Sequence, residues 1–164
     1  MKVLDHRQVQ QKIRRLAIEI LEHNHEEPEI ILAGINNNGY GFGQMLLAEL
    51  QERTDKKIVL THIRLNPANP LASPITIELP VESLQNKAII IIDDVANTGR
   101  TIFYACKPII EVLPKKVEVA VLVDRTHKSF PIRVDYVGLS LATTLKEDIE
   151  VRIREVSEYA VYLN

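Results

Sequence analysis

Two rhythms of apolar and polar positions run along this chain. Val9, Ile13, Leu16, Ala17, Ile20 and Leu21 recur at three- and four-residue spacing, which predicts an amphipathic helix over residues 9–22. Short continuous apolar runs follow. Residues 29–33, 58–64, 88–92 and 117–123 have the length and β-branched content of strands, and 75–79, 136–141 and 149–155 read as further strands. Helices are expected over 40–51 and 101–112, the second interrupted or adjusted at Pro108. Residues 66–74 hold three prolines and read as a loop. Strand and helix alternate through the middle, so the expected class is α/β, with a mainly parallel sheet and helices on both faces. No repeat or linker breaks the pattern, and residues 1–164 are expected to form one domain.

Composition narrows this picture. The 164 residues are 46% hydrophobic and 26% charged, which suits a globular chain with a real core. The net charge of −2 gives no general attraction for nucleic acid. No apolar run is long enough to span a bilayer, and the first residues lack a signal-peptide core. A single cysteine, Cys106, excludes an internal disulfide framework; in a predicted helix it reads as a small core residue. These features fit the cytoplasm. None of the five histidines has metal-ligand spacing to Cys or acidic partners.

The most informative stretch is Ile89-Ile90-Ile91-Ile92-Asp93-Asp94-Val95-Ala96-Asn97-Thr98-Gly99-Arg100-Thr101. A buried strand delivers two acids to its end, where ligands sit in open α/β sheets. A turn of small and polar residues then aims backbone N–H groups and hydroxyls at one point before a helix, forming a cup for phosphate. Carboxylates accept hydrogen bonds from hydroxyls and amides donate to phosphate, which together suit a sugar phosphate. A Walker B strand is the rival reading. It requires a Walker A loop, and the nearest match, Gly34-Ile35-Asn36-Asn37-Asn38-Gly39, is followed by Tyr40 and Gly41 instead of Lys and a hydroxyl residue. The other alternative, a buried strand with a charged end, leaves the attached Thr-Gly-Arg-Thr loop unexplained.

At these residues the chain resembles the type I phosphoribosyltransferases, whose signature is four apolar residues, two acids and a Thr-Gly-x-Thr loop. The resemblance implies their fold, a mainly parallel sheet flanked by helices with a small hood, and a site for phosphoribosyl pyrophosphate (PRPP). Asp93 and Asp94 then hold the ribose hydroxyls, and Asn97, Thr98, Gly99, Arg100 and Thr101 hold the 5′-phosphate. The chain is most similar to the subfamily of uracil phosphoribosyltransferases that double as pyrimidine-operon attenuation regulators. That similarity covers the first helix, Thr61-His62-Ile63-Arg64, the block from Ala120 to His127, and Pro131-Ile132-Arg133-Val134-Asp135-Tyr136-Val137-Gly138. It implies Arg64 as a catalytic-loop cation and places Arg125, His127 and Arg133 around the base-binding hood. For these three, pairing with Asp124 or Asp135 or a capping role stands equally open.

Three departures accompany the resemblance. The pyrophosphate loop, Asn36, Asn37, Asn38 and Gly39, lacks the cation found between the glycines of the subfamily. Each charge-assisted bond lost there is worth about 1.5–3 kcal/mol, so Asn36→Lys with Asn38→Arg is expected to tighten PRPP. Leu65 and Asn66 replace two acids after Arg64, and Pro67, Pro70 and Pro74 stiffen the loop beyond. Ile18 stands where the RNA-contacting helix carries a His, so RNA is not expected as a partner. The implied reaction transfers a 5-phosphoribosyl group from PRPP to a nucleobase, with uracil favoured. Mg²⁺ is the implied cofactor, bridging pyrophosphate and ribose with no direct protein ligand assigned. A weakly active or inactive PRPP- or nucleotide-sensing regulator, with RNA binding left open, is the alternative. A homo-oligomer, most simply a dimer, is also implied.

Overall fold

The computed structural model describes Met1–Asn164. Its main sheet has six strands: β2 (Glu29–Ile35), β3 (Lys57–Arg64), β4 (Thr76–Ile77), β5 (Ala88–Ala96), β6 (Lys116–Arg125) and β7 (Tyr136–Leu141). They lie in the order β4-β3-β2-β5-β6-β7. All neighbours are parallel except the short β4, which runs antiparallel to β3. A second, antiparallel sheet joins the chain ends, with β1 (Lys2–Leu4) and β8 (Ile149–Arg152) on either side of β9 (Ala160–Leu163).

The continuous apolar runs are explained by two cores. Ile30, Leu32, Ile90 and Ile92 face α1 (His6–His23) and α2 (Asn36–Gln51). Ile31, Ala33, Ile89 and Ile91 face α3 (Arg100–Ala105) and two 3-10 turns, Val81–Leu84 and Ile109–Glu111. Because successive side chains point to opposite faces, a strand covered on both sides must be apolar at every position. A capping box starts α1: Gln8 N–H donates to Asp5 at 2.8 Å, and Asp5 N–H donates to the Gln8 side chain at 2.9 Å.

Several boundaries differ from those read in the sequence. The helix expected over 40–51 begins at Asn36, so the asparagines form its first turn. Asn36 itself has φ 50°, a left-handed conformation that asparagine tolerates. The strand expected to end at Ile92 continues to Ala96 and carries both acids within it. The helix expected over 101–112 stops at Ala105. Pro108 has no N–H to donate and its ring crowds the carbonyl of Tyr104, so only the turn Ile109–Glu111 follows. Strands β1 and β9 are too short to show a period in the sequence.

Candidate functional site

The site follows from the topology. From β2 the chain moves to β3 on one side; from β5 it moves through β6 to β7 on the other. Helix α2 therefore covers one face and α3 the opposite face. A crevice opens between the carboxyl ends of β2 and β5, where the strand order reverses. Pairing between these strands ends at Gly34 and Ile92. Beyond that point β5 is held by β6 alone, through Asp93–Val121 and Val95–Val123. Both acids thus lie on the part of β5 that has lost one neighbour.

Gly39 lets α2 close against this edge. A Cβ there would lie 2.5 Å from the Ile92 carbonyl oxygen and 3.4 Å from an Asp93 carboxylate oxygen. The sequence assigns Gly39 to a pyrophosphate loop; in the structure it is a buried contact between helix and strand. The neighbouring asparagines are also partly committed. Asn36 Nδ2 donates to the Leu65 carbonyl at 2.9 Å, and Leu65 N–H donates to Asn36 Oδ1 at 3.1 Å. Asn38 Nδ2 donates to Asp94 Oδ2 at 3.0 Å. Asn37 is exposed and its side chain makes no hydrogen bond within the protein.

One cavity of about 450 Å³ brings together Asn36, Asn37 and Asn38, Asp93 and Asp94, and Asn97 and Thr101, with Pro67 and Ile149 at its rim. A smaller cavity of about 40 Å³ is formed by Asp93 and the turn 95–102, and includes Thr98, Gly99 and Arg100. Gly99 has φ 86°, and a Cβ on it would lie 3.1 Å from Ile132 Cβ. The segment after β6 folds over this turn, with Ser129 and Phe130 N–H groups donating to the Thr98 carbonyl. Thr98 Oγ1 accepts from Arg100 N–H at 3.3 Å, a contact that an incoming phosphate oxygen can replace. With only six residues in α3, the attraction for phosphate rests on local amides more than on a helix dipole.

The two acids differ. Asp93 Oδ1 accepts from Asp94 N–H at 2.9 Å, and Asp94 Oδ1 accepts from Val95 N–H at 2.8 Å. Burial, reinforced by the adjacent Asp94 charge, pushes the Asp93 carboxyl well above the usual carboxylate range. Between the unfolded and the raised folded value, the folded state holds a proton that the unfolded chain has released. Stability from this group is present below the unfolded carboxylate value and falls as pH rises from there toward the raised folded value. Asp93→Asn is expected to remove that loss. At pH 7 its Tm should exceed the wild-type value, by about 3 °C for each kcal/mol released, and the gap should close toward pH 3. Thermal melts across pH check this; a gap that widens in acid contradicts the upward shift of Asp93.

The remaining predicted residues divide. Arg64 lines an adjoining cavity of about 390 Å³ with Asn36, Asn37, His62 and Asn66. His62 is buried and stacks on Tyr40, with centroids 4.6 Å apart; burial, with the Arg64 charge, lowers its pKa. The Arg100 side chain donates to the Pro67 carbonyl at 2.7 Å, tying the proline loop to α3. Arg125 and His127 line a cavity of about 130 Å³ beside Asn97 and Thr98. The Arg125 guanidinium donates to Thr143 Oγ1, Asn97 Oδ1 and the carbonyls of Thr144 and Glu147, and it pairs with neither Asp124 nor Asp135. Arg133 is exposed, 3.4 Å from Asp135, and lines none of these cavities. Two residues escape the sequence reading. Lys128 pairs with Asp124 at 2.6 Å and lies against Gly99; it follows a strand end, where four-residue spacing gives no signal of pairing. Arg154 donates to Asn38 Oδ1 at 3.2 Å from a segment that carries no motif.

The largest cavity, about 600 Å³, lies elsewhere, between α1, α2 and the segment after β8. It has no acid pair facing a turn of free amides, so chemistry rather than volume selects the crevice.

A doubly wound sheet with an acid pair and an amide cup at its switch point defines a sugar-phosphate-binding α/β protein. Residues 2–156 match the phosphoribosyl transferase domain, and the chain belongs to that family of transferases. It is 33% identical to the bifunctional protein PyrR of Clostridium acetobutylicum, over 96% of this chain and 92% of that one. It is 31% identical to the bifunctional protein PyrR of Streptomyces coelicolor, over 93% and 83%. Among solved structures, hypoxanthine phosphoribosyltransferase of Trypanosoma cruzi superposes with a TM-score of 0.77 at 16% identity, covering 98% of this chain and 95% of that one. A hypoxanthine-guanine phosphoribosyltransferase of Bacillus anthracis gives 0.75 at 16%, covering 97% and 95%. These two likenesses establish the type I fold expected from the sequence.

Proposed function

We propose that this protein transfers the 5-phosphoribosyl group of PRPP to a nucleobase, with uracil as the acceptor, and releases pyrophosphate. The observation that carries the reading is the convergence of Asn36, Asn37 and Asn38, Asp93 and Asp94, and Asn97 and Thr101 on one cavity. The 5′-phosphate takes the amides of the turn 97–101. Asp94 presents its carboxylate to the ribose hydroxyls, while Asp93 Oδ1 accepts from the Asp94 N–H and braces its backbone. Loss of pyrophosphate leaves positive charge at C1 of the ribose, which the Asp94 charge stabilises; the base nitrogen attacks C1, its N–H proton passes to the departing pyrophosphate or to solvent, and no protein nucleophile is needed. Arg64 reaches the leaving group from the adjoining cavity. Uracil rests on the resemblance of the sequence to the bifunctional uracil phosphoribosyltransferase subfamily.

Mg²⁺ fits as a companion of the substrate. No cluster of three or more His, Cys, Asp or Glu side chains is arranged to hold a metal. Asp94 and neutral amides suit a cation that retains water and substrate oxygens. Bound there, it supplies charge neutralisation for the leaving pyrophosphate.

The second reading is a nucleotide-sensing regulator with little turnover. It is favoured by the commitment of Asn36 to Leu65 and Asn38 to Asp94, which leaves few loop donors free. RNA recognition is not part of our reading. Arg15 donates to the carbonyls of Val137 and Gly138 at 2.8 Å, Arg14 lies 3.9 Å from Glu49, and Ile18 offers no hydrogen bond. No helix is long and apolar enough to cross a membrane. The dimeric state and a cytoplasmic location remain proposals, the first from resemblance and the second from composition. One panel separates the readings: protein, PRPP and Mg²⁺ with each nucleobase in turn, assayed for pyrophosphate. Uracil-dependent release is expected. Ligand binding without release from any base overturns the transferase, and sequence-dependent RNA binding at moderate salt promotes the regulator.

A further inference from the structure

The connection from β3 to β4 spans residues 65–75 and follows Arg64. It borders the site on two sides: Arg64, Asn66 and Ser73 line the cavity of about 390 Å³, and Pro67 lines the main one. Exposed connections of this length are ordinarily mobile. This one is anchored by bonds that need no ligand. Asn36 holds Leu65 with both halves of its amide, Nδ2 donating to the carbonyl at 2.9 Å and Oδ1 accepting from the N–H at 3.1 Å. Arg100 Nη2 donates to the Pro67 carbonyl at 2.7 Å. Leu65 and Pro70 are buried. Between these points the loop bonds to itself: Asn66 Oδ1 accepts from the N–H groups of Ala68 and Asn69, and the Asn69 carbonyl accepts from Ala72 N–H. Pro67, Pro70 and Pro74 lower the freedom that the loop would regain on release, so few anchors suffice.

Both anchoring residues belong to elements that form the site. Arg100 sits in the phosphate turn, where its backbone N–H donates to Thr98 Oγ1 at 3.3 Å, while its side chain bonds the loop. Asn36 sits in the first turn of α2, at φ 50°. A carboxamide carries a donor and an acceptor side by side, so it satisfies the Leu65 carbonyl and N–H together. Lysine or arginine at position 36 offers donors alone and leaves the Leu65 N–H without this partner. The anchoring of the loop thus gives asparagine at position 36 a physical reason.

We propose that Arg100 and Asn36 are positioning residues, which hold the loop after β3 in place so that Arg64 stands at the leaving group. This rests on the PRPP reading above. A loop already fixed loses little conformational freedom as the transition state forms, and less of the binding energy goes into ordering it. The backbone of Arg100 serves the 5′-phosphate and its side chain serves the loop, so substitution separates the two tasks.

The test compares wild type with Arg100→Gln, Arg100→Lys and Asn36→Gly, the last keeping a residue at home in the left-handed backbone. Three quantities are read: hydrogen exchange of the 65–74 peptide by mass spectrometry, affinity for ribose 5-phosphate by calorimetry, and steady-state turnover with PRPP, Mg²⁺ and uracil. Arg100→Gln and Asn36→Gly are expected to speed exchange of the loop about tenfold and lower kcat about tenfold, with ribose 5-phosphate within twofold of wild type. Lysine keeps one donor on a long stem, so Arg100→Lys should slow the exchange again and recover part of kcat. A general loss of structure moves exchange across the sheet and the affinity for ribose 5-phosphate together. Weaker ribose 5-phosphate binding in Arg100→Gln, with loop exchange unchanged, assigns the side chain to the phosphate and overturns the inference while the PRPP reading stands. Loop exchange in wild type as fast as in a free peptide also overturns it. Wild-type protein without turnover on any base overturns the transferase reading; slow exchange that depends on Arg100 and Asn36 then still supports the anchoring.

Discussion

Gly99→Val should reduce affinity for PRPP and for ribose 5-phosphate by at least about a hundredfold. Gly99 has φ 86°, a region that a β-branched residue enters only with strain. A Cβ would also sit 3.1 Å from Ile132 Cβ and 3.4 Å from Lys128 Cδ, in the segment folded over the turn. Relief of either conflict rotates the peptide units that aim N–H groups into the cup. Hydrogen bonds to a charged group are worth about 1.5–3 kcal/mol each, so misdirecting two of them gives the hundredfold loss. Thr101→Ala removes a hydroxyl without altering the backbone and should weaken both ligands about tenfold. Calorimetry reads both effects, and melting curves report whether the valine protein is folded. Wild-type affinity in a folded Gly99→Val protein would remove the phosphate cup from the account.

Asn37→Arg should tighten PRPP by about ten- to hundredfold and leave ribose 5-phosphate nearly unchanged. Asn37 is the one asparagine of the turn whose side chain has no partner, and it lines both the main cavity and the one that holds Arg64. An arginine there adds a charge-assisted contact worth about 1.5–3 kcal/mol. Its position in the first turn of α2 costs about 0.3–1 kcal/mol of folding stability through the helix dipole, which melting curves read separately from affinity. The substitutions favoured by the sequence alone have a different outcome. Asn36→Lys gives up two hydrogen bonds to Leu65 and places lysine at φ 50°; Asn38→Arg breaks the link between Arg154 and Asp94. Titration of Asn37→Arg with both ligands separates a local contact from general electrostatics, since the latter tightens both.

The parts legible in the sequence are those where local pattern and tertiary demand coincide. Ile89–Ile92 announces a strand covered on both faces because each position must be apolar. The acids and the turn after it are contiguous, so the cup could be assembled from neighbours in the chain. The parts that were not legible depend on distant contacts. Nothing near Asn36 indicates that its amide pairs with Leu65, 29 residues away. Asn38 and Arg154 are separated by 116 positions, and their contact exists only because β8 brings the C-terminal segment over α2. The early start of α2 was hidden because three asparagines and a glycine are poor helix formers, favoured here by Gly39 packing on β5. The early end of α3 was signalled by Pro108, but the apolar Ile109 and Ile110 extended the helical pattern past it.

The most direct measurement is a crystal structure of the protein with PRPP and Mg²⁺. The account predicts the 5′-phosphate within hydrogen-bonding distance of the backbone N–H groups between Thr98 and Thr101, the ribose hydroxyls on Asp94, and the diphosphate between the asparagine turn and Arg64. A 5′-phosphate bound at another site, with the turn 97–101 left to solvent, would contradict it.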